Sequence, residues 1–94
     1  MKDRITEEKL KSYLELTEKA LKNLEILPPR NSHLRKAAND FFLMANSYFK
    51  DAGYYYRKKD YVTSFACVNY AHGYIDAGIR IGIFKGEGEG LFAF

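Results

Sequence analysis

Four polar side chains fall at helical spacing in one stretch of this 94-residue chain: Asn69, His72, Asp76 and Arg80. The steps from His72 to Asp76 and from Asp76 to Arg80 are both i,i+4, so on a helix these side chains share an edge and can touch. Two kinds of chemistry fit. In the first, Asp76 neutralises Arg80 and His72 bonds a carboxylate or a neighbouring helix, giving a half-buried polar ladder, because buried charges need such partners. In the second, the edge is a ligand or partner site with Arg80 anchoring an anion and His72 donating a hydrogen bond. A metal centre needs more than His72 and Asp76 supply, and no further pair stands at ligand spacing, so neither a metal nor a cofactor is expected. Nucleophilic chemistry finds no support. Ser64 lies two turns from His72 on another flank, and Cys67 is on a different face. The GEGEG run at 86–90 has neither a following helix nor the Lys–Ser/Thr of a phosphate loop, and no strand is expected before it. No catalytic residue is assigned.

A second cluster, Tyr54, Tyr55, Tyr56, Arg57, Lys58 and Lys59, interleaves rings and cations as single-stranded nucleic-acid sites do. Tyr54, Arg57, Lys58 and Lys59 are the candidate nucleic-acid patch. Arg80 joins Arg57, Lys58 and Lys59 in the alternative reading of the chain as an RNA- or nucleotide-binding helical domain. Against it, the net charge is only +3, and tyrosines beside a helical hairpin usually pack while its lysines are solvated.

The elements that would hold these residues are helical. From Asp60, a good N-cap, the residues Tyr61, Phe65, Val68, His72, Ile75, Ile79 and Ile83 make one stripe at about 100° per residue. Ser64, Ala71, Gly78 and Gly82 flank it and would let a neighbouring helix come close. A further face, Thr63, Cys67, Tyr70, Tyr74 and Ile81, carries no charge. This helix, expected over about 60–84, is therefore apolar nearly all round, and such a helix is normally buried on more than one side. Upstream, Leu10, Tyr13, Leu14, Thr17, Ala20, Leu21 and Leu24 form the seam of a helix over about 5–27, capped by Asp3 or Thr6 and stopped by Pro28–Pro29. Leu34, Ala37, Ala38, Phe41, Met44, Ala45, Tyr48, Ala52 and Tyr55 form the seam of another over about 33–58, capped by Ser32 or Asn31. No strand is expected. Residues 1–84 read as one all-α, antiparallel three-helix bundle, and 85–94 as a glycine-rich C-terminal tail in which Leu91, Phe92 and Phe94 either stay free or dock in a groove.

Hydrophobic residues at 47% and aromatic ones at 16% exclude a disordered chain. The one cysteine, Cys67, excludes an internal disulfide and fits a reducing cytoplasm. No apolar run reaches the roughly 20 residues of a membrane span, and MKDRITEEK has no signal-peptide core.

The run from Tyr54 to Phe84, YYYRKKDYVTSFACVNYAHGYIDAGIRIGIF, resembles the signature of a family of small archaeal proteins known as domain of unknown function 357. The match runs through Tyr54–Tyr56, Lys59–Asp60–Tyr61, Ala66, Tyr70–Ala71–His72–Gly73, Asp76–Ala77–Gly78, Arg80 and Gly82–Ile83–Phe84. It is specific from Ser47 to Phe84 and looser over the first helix. The resemblance implies a closed three-helix bundle of the albumin-binding-domain-like type, mirror-imaged in topology from spectrin repeats, and no established activity. Lys59 stands where glycine is commoner in the family, which implies a tighter turn than lysine prefers. The same hairpin is similar to a tetratricopeptide helix pair at Tyr55, Asp60–Tyr61 and Tyr70–Ala71, an analogy of packing only. The reading that results is a non-catalytic protein-interaction or assembly module. Its partners are expected to be proteins, a second copy among them through the Thr63, Cys67, Tyr70, Tyr74 and Ile81 face.

Overall fold

A computed structural model describes residues 6–86. Its elements are α1 (Glu7–Lys22), β1 (Leu24–Ile26), α2 (His33–Arg57), α3 (Tyr61–Arg80) and β2 (Phe84–Gly86). Each helix starts at a side-chain cap: Thr6 accepts from the Lys9 amide, Ser32 from that of Arg35 and Asp60 from that of Thr63. These oxygens satisfy amides that have no partner within the helix.

The helices form a bundle. Leu10 packs with Ala52 and Val68, whereas Leu21 packs with Ala45 and Ile75. So α1 runs antiparallel to α2 and in the same direction as α3. The closest pair is α2 with α3. Ala38, Ala45 and Ala52, seven residues apart, are fully buried, and so are Ser64, Ala71 and Gly78 on α3. Small residues at matched heptad positions let the two backbones approach, and the Ser64 hydroxyl donates to the Ala52 carbonyl at 2.6 Å. The turn between them places Lys59 at φ +62°, in the left-handed region that disfavours side chains. That is the strain implied by a lysine where glycine is commoner.

Two expectations are corrected. The first helix does not reach residue 27, nor the third residue 84, and the chain contains strands. Gly82 at φ +83° ends α3. The Ile83 amide reaches back to the Gly78 carbonyl and the Gly82 amide to that of Ile79, the paired bonds of a glycine-terminated helix. The redirected chain makes β2, which pairs antiparallel with β1 in the register Leu24↔Gly86, Glu25↔Lys85, Ile26↔Phe84. Lys85 and Gly86 therefore belong to the folded unit and not to a tail. Leu91, Phe92 and Phe94 lie outside the described residues. Ile83 kept the apolar period of α3 and so read as helix. It is buried at 1% exposure, with Phe84 at 2%, but both reach the core from the turn and strand.

Candidate functional site

His72 leaves α3 on the side that meets α1. Its Nε2 makes a hydrogen bond with the Thr17 hydroxyl. That hydroxyl donates its own proton to the Tyr13 carbonyl at 2.8 Å, so the imidazole must be the donor and its Nε2 carries hydrogen. The Tyr13 carbonyl also accepts from the ring, and the Tyr13 ring meets the imidazole edge-on at 6.1 Å and 77°. Burial pushes the His72 pKa below its ordinary value, and the bond to Tyr13 opposes that shift in part. His72 thus ties two helices together from a half-buried position.

Asp76 and Arg80 point elsewhere. Arg80 Nε donates to both carboxylate oxygens, at 3.1 and 3.0 Å, and the two side chains are 36% and 72% exposed. An i,i+4 step rotates about 40° around a helix, so two steps carry the edge from the α1 contact at His72 into solvent at Arg80. Asn69 is exposed as well. The four residues share one edge of α3, but the structure makes two separate things of them: an interhelical bond and a surface ion pair.

The uncharged face of α3 also divides. Tyr70 and Tyr74 both stack on Tyr48 of α2, at 5.1 Å and 22° and at 6.0 Å and 20°, and Phe41 meets Tyr74 edge-on at 5.5 Å. Phe41 and Tyr48 therefore pack on this flank of the α2–α3 pair and not beneath α1. Thr63, Cys67 and Tyr74 are half-buried. Burial first, then the nearby Asp51 and Asp60, raises the Cys67 pKa, which leaves a protonated, weakly nucleophilic thiol. Tyr70 at 60% and Ile81 at 63% stay exposed, and beside them so does Val62 at 76%, which sequence reasoning left out. The signal was present: Val62, Ala66 and Tyr70 follow one another at i,i+4.

At the α2–α3 turn, Lys58 Nζ lies 5.5 Å above the Tyr54 ring, and Tyr54 and Tyr55 meet edge-on at 5.2 Å. Arg57, Lys58 and Lys59 are exposed. Tyr56 turns away, donating to Glu7 Oε1 at 3.3 Å. Arg80 sits at the other end of α3, about 30 Å along the axis, so it does not share a surface with the other three cations. An open cleft of about 620 Å³ between α1 and α2 was not foreseen: Leu14, Phe49, Gly53 and Tyr56 line it together with Lys11, Glu15, Glu18, Lys50 and Arg57. Its lining comes from both helices, an arrangement no single helix encodes. Among the described residues no group of three or more His, Cys, Asp or Glu is placed to hold a metal, and no helix is long and apolar enough to cross a membrane.

The sequence model of the family described as Protein of unknown function (DUF357) matches residues 12–84. No curated protein and no solved structure matches the chain. The matched segment ends at Phe84, the last buried residue among those described.

Proposed function

The chain belongs to the DUF357 family, whose function is unknown, and from that premise we propose that it is a non-catalytic protein-interaction or assembly module. The observation that carries the proposal is the outer surface of α3. Val62, Tyr70 and Ile81 stay exposed on it, on the side of the helix turned away from α1 and α2. Large apolar side chains gathered on one helix face mark an interaction surface more often than scattered ones do, and tyrosine suits such surfaces because its ring buries area while its hydroxyl stays satisfied. Protein partners, and a cytoplasmic setting compatible with the free thiol of Cys67, are part of this reading.

The second reading, RNA or nucleotide binding, is favoured by one contact, the Lys58 ammonium over Tyr54. Salt separates the two. Binding of partner proteins captured from native extract should survive moderate salt, because the surface is uncharged. Tight RNA binding that weakens steeply between low and moderate salt, and that is lost in Lys58→Ala, would replace the first reading with the second.

A further inference from the structure

We propose that the outer face of α3 is a homodimer interface, with α3 packed antiparallel against α3 of a second copy. The proposal rests on the interaction-module reading and names its partner. The face is the stripe Val62, Ala66, Tyr70, Gly73, Ala77 and Ile81, which successive steps of four, four, three, four and four residues hold on one side of the helix. All are exposed except Ala77, which is half-buried.

The pattern is complementary to its own reverse. Val62 and Ile81, Ala66 and Ala77, Tyr70 and Gly73 are each centred on the same point, between Ala71 and His72. A two-fold axis there sets Val62 against the second copy's Ile81, Ala66 against its Ala77, and the Tyr70 ring against its Gly73. Large meets large at the ends, small meets small between, and the ring meets the one position with no side chain. A self-complementary patch closes as a two-fold dimer. Stacking on Tyr48 at 5.1 Å fixes the Tyr70 ring in advance.

The glycines support this. A Cβ at Gly78 would lie 2.1 Å from the Phe84 ring, so its absence is used within the protomer, whereas a Cβ at Gly73 would meet nothing within 4 Å. A helix-weakening residue with no use inside the protomer acquires one under the second copy's Tyr70. Charge agrees. None of the six stripe residues is charged, and Arg80, about five turns from Val62 on the same side, borders the stripe at its Ile81 end. Antiparallel helices set the same edge of each copy together, so the edge that carries Asn69 and Asp76 runs beside its counterpart in the other copy and provides a polar rim. Val62, Tyr70 and Ile81 keep 76%, 60% and 63% of their surface exposed, so covering the stripe puts the contact near the lower bound of specific interfaces, about 1,000 Å² for the pair. The dimer is accordingly a small one.

Sedimentation of the full chain across the micromolar range tests this. Wild-type mass should rise from 10.9 kDa towards twice that with concentration, with little dependence on salt. Gly73→Gln, at a site open in the protomer, should fold with undiminished helix content yet raise the dissociation constant about a hundredfold, since two overpacked sites are created at once. Ala66→Gln on the same face should act likewise. A wild type monomeric throughout overturns the dimer, as does a Gly73→Gln variant that associates like wild type. If the wild type is monomeric but a captured protein partner binds and is lost in Gly73→Gln, the dimer falls and the interaction reading stands. If neither association is found, both fall.

Discussion

His72 shows what a single residue owes to rotation around a helix. Spacing alone put it in line with Asp76 and Arg80, and that alignment holds along the edge of α3. Which of the three meets another helix depends on the angle at which α1 crosses, and α1 crosses at His72. The burial that follows has a sign. The native imidazole is held below its ordinary value of 6.5, largely by desolvation, so between the lowered native pKa and 6.5 the unfolded chain binds a proton that the folded chain does not. Stability should therefore be complete above 6.5 and fall as the pH drops through the interval below it. Urea denaturation at a series of pH values should show this slope in wild type and a flatter one in His72→Gln. Asp76 and Arg80 behave differently because water screens them. An exposed pair contributes about 0–1 kcal/mol, so Asp76→Asn should cost less than about 1 kcal/mol. A larger loss would mean that the carboxylate has a partner besides Arg80.

At the scale of elements, the helices and their caps were legible because apolar period and capping chemistry are local. Asp60, Ser32 and Thr6 each cap as their residue types dictate. The helix ends were less legible. Leu24, Ile26, Ile83 and Phe84 continue an apolar period into segments whose backbone follows other rules, and the signal that should have stopped α3 was Gly82, not the loss of hydrophobicity. The β1–β2 pair could not be read locally at all, since its partners are some sixty residues apart. The two glycines within α3, Gly73 and Gly78, show how the same residue type serves different ends. Gly78→Ala gains helix propensity of about 1 kcal/mol but drives a methyl into the Phe84 ring at 2.1 Å, an overpacking that commonly costs 1–3 kcal/mol. The strand must move to make room, so the net effect should be a loss of up to about 2 kcal/mol. Gly73→Ala meets no such obstacle and should stabilise the chain by about 1 kcal/mol at concentrations where it is monomeric. Thermal melts of the two variants should shift in opposite directions, and a shared sign would contradict the placement of Phe84.

At the scale of the whole molecule, the bundle is closed at one end by the buried ring of Phe84. Phe84 lies with Ala38 and Ile83 against Leu24, Ile26, Phe41, Phe42 and Ile79, so one ring joins α2, α3 and both strands. The cluster around Ala20, Leu21, Ala45 and Ile75 shares Leu24, Phe42 and Ile79 with it, so packing runs continuously from this end towards the middle of the bundle. Truncating such a ring leaves a cavity the surrounding elements can only partly fill, and Phe→Ala in a core costs about 3–5 kcal/mol. A domain of this size has about 5–14 kcal/mol in total. Phe84→Ala should accordingly remove about a fifth or more of the stability while leaving much of the helix content in the folded fraction, because α2 and α3 keep their alanine–glycine seam. The shared neighbours also bear on cooperativity. If both clusters unfold together, urea denaturation of wild type followed by helix content and by tyrosine fluorescence should coincide, and Phe84→Ala should lower the midpoint with little change in slope. Separate transitions for the two probes would show that the strand-capped end and the Leu10–Ala52–Val68 end of the bundle melt independently.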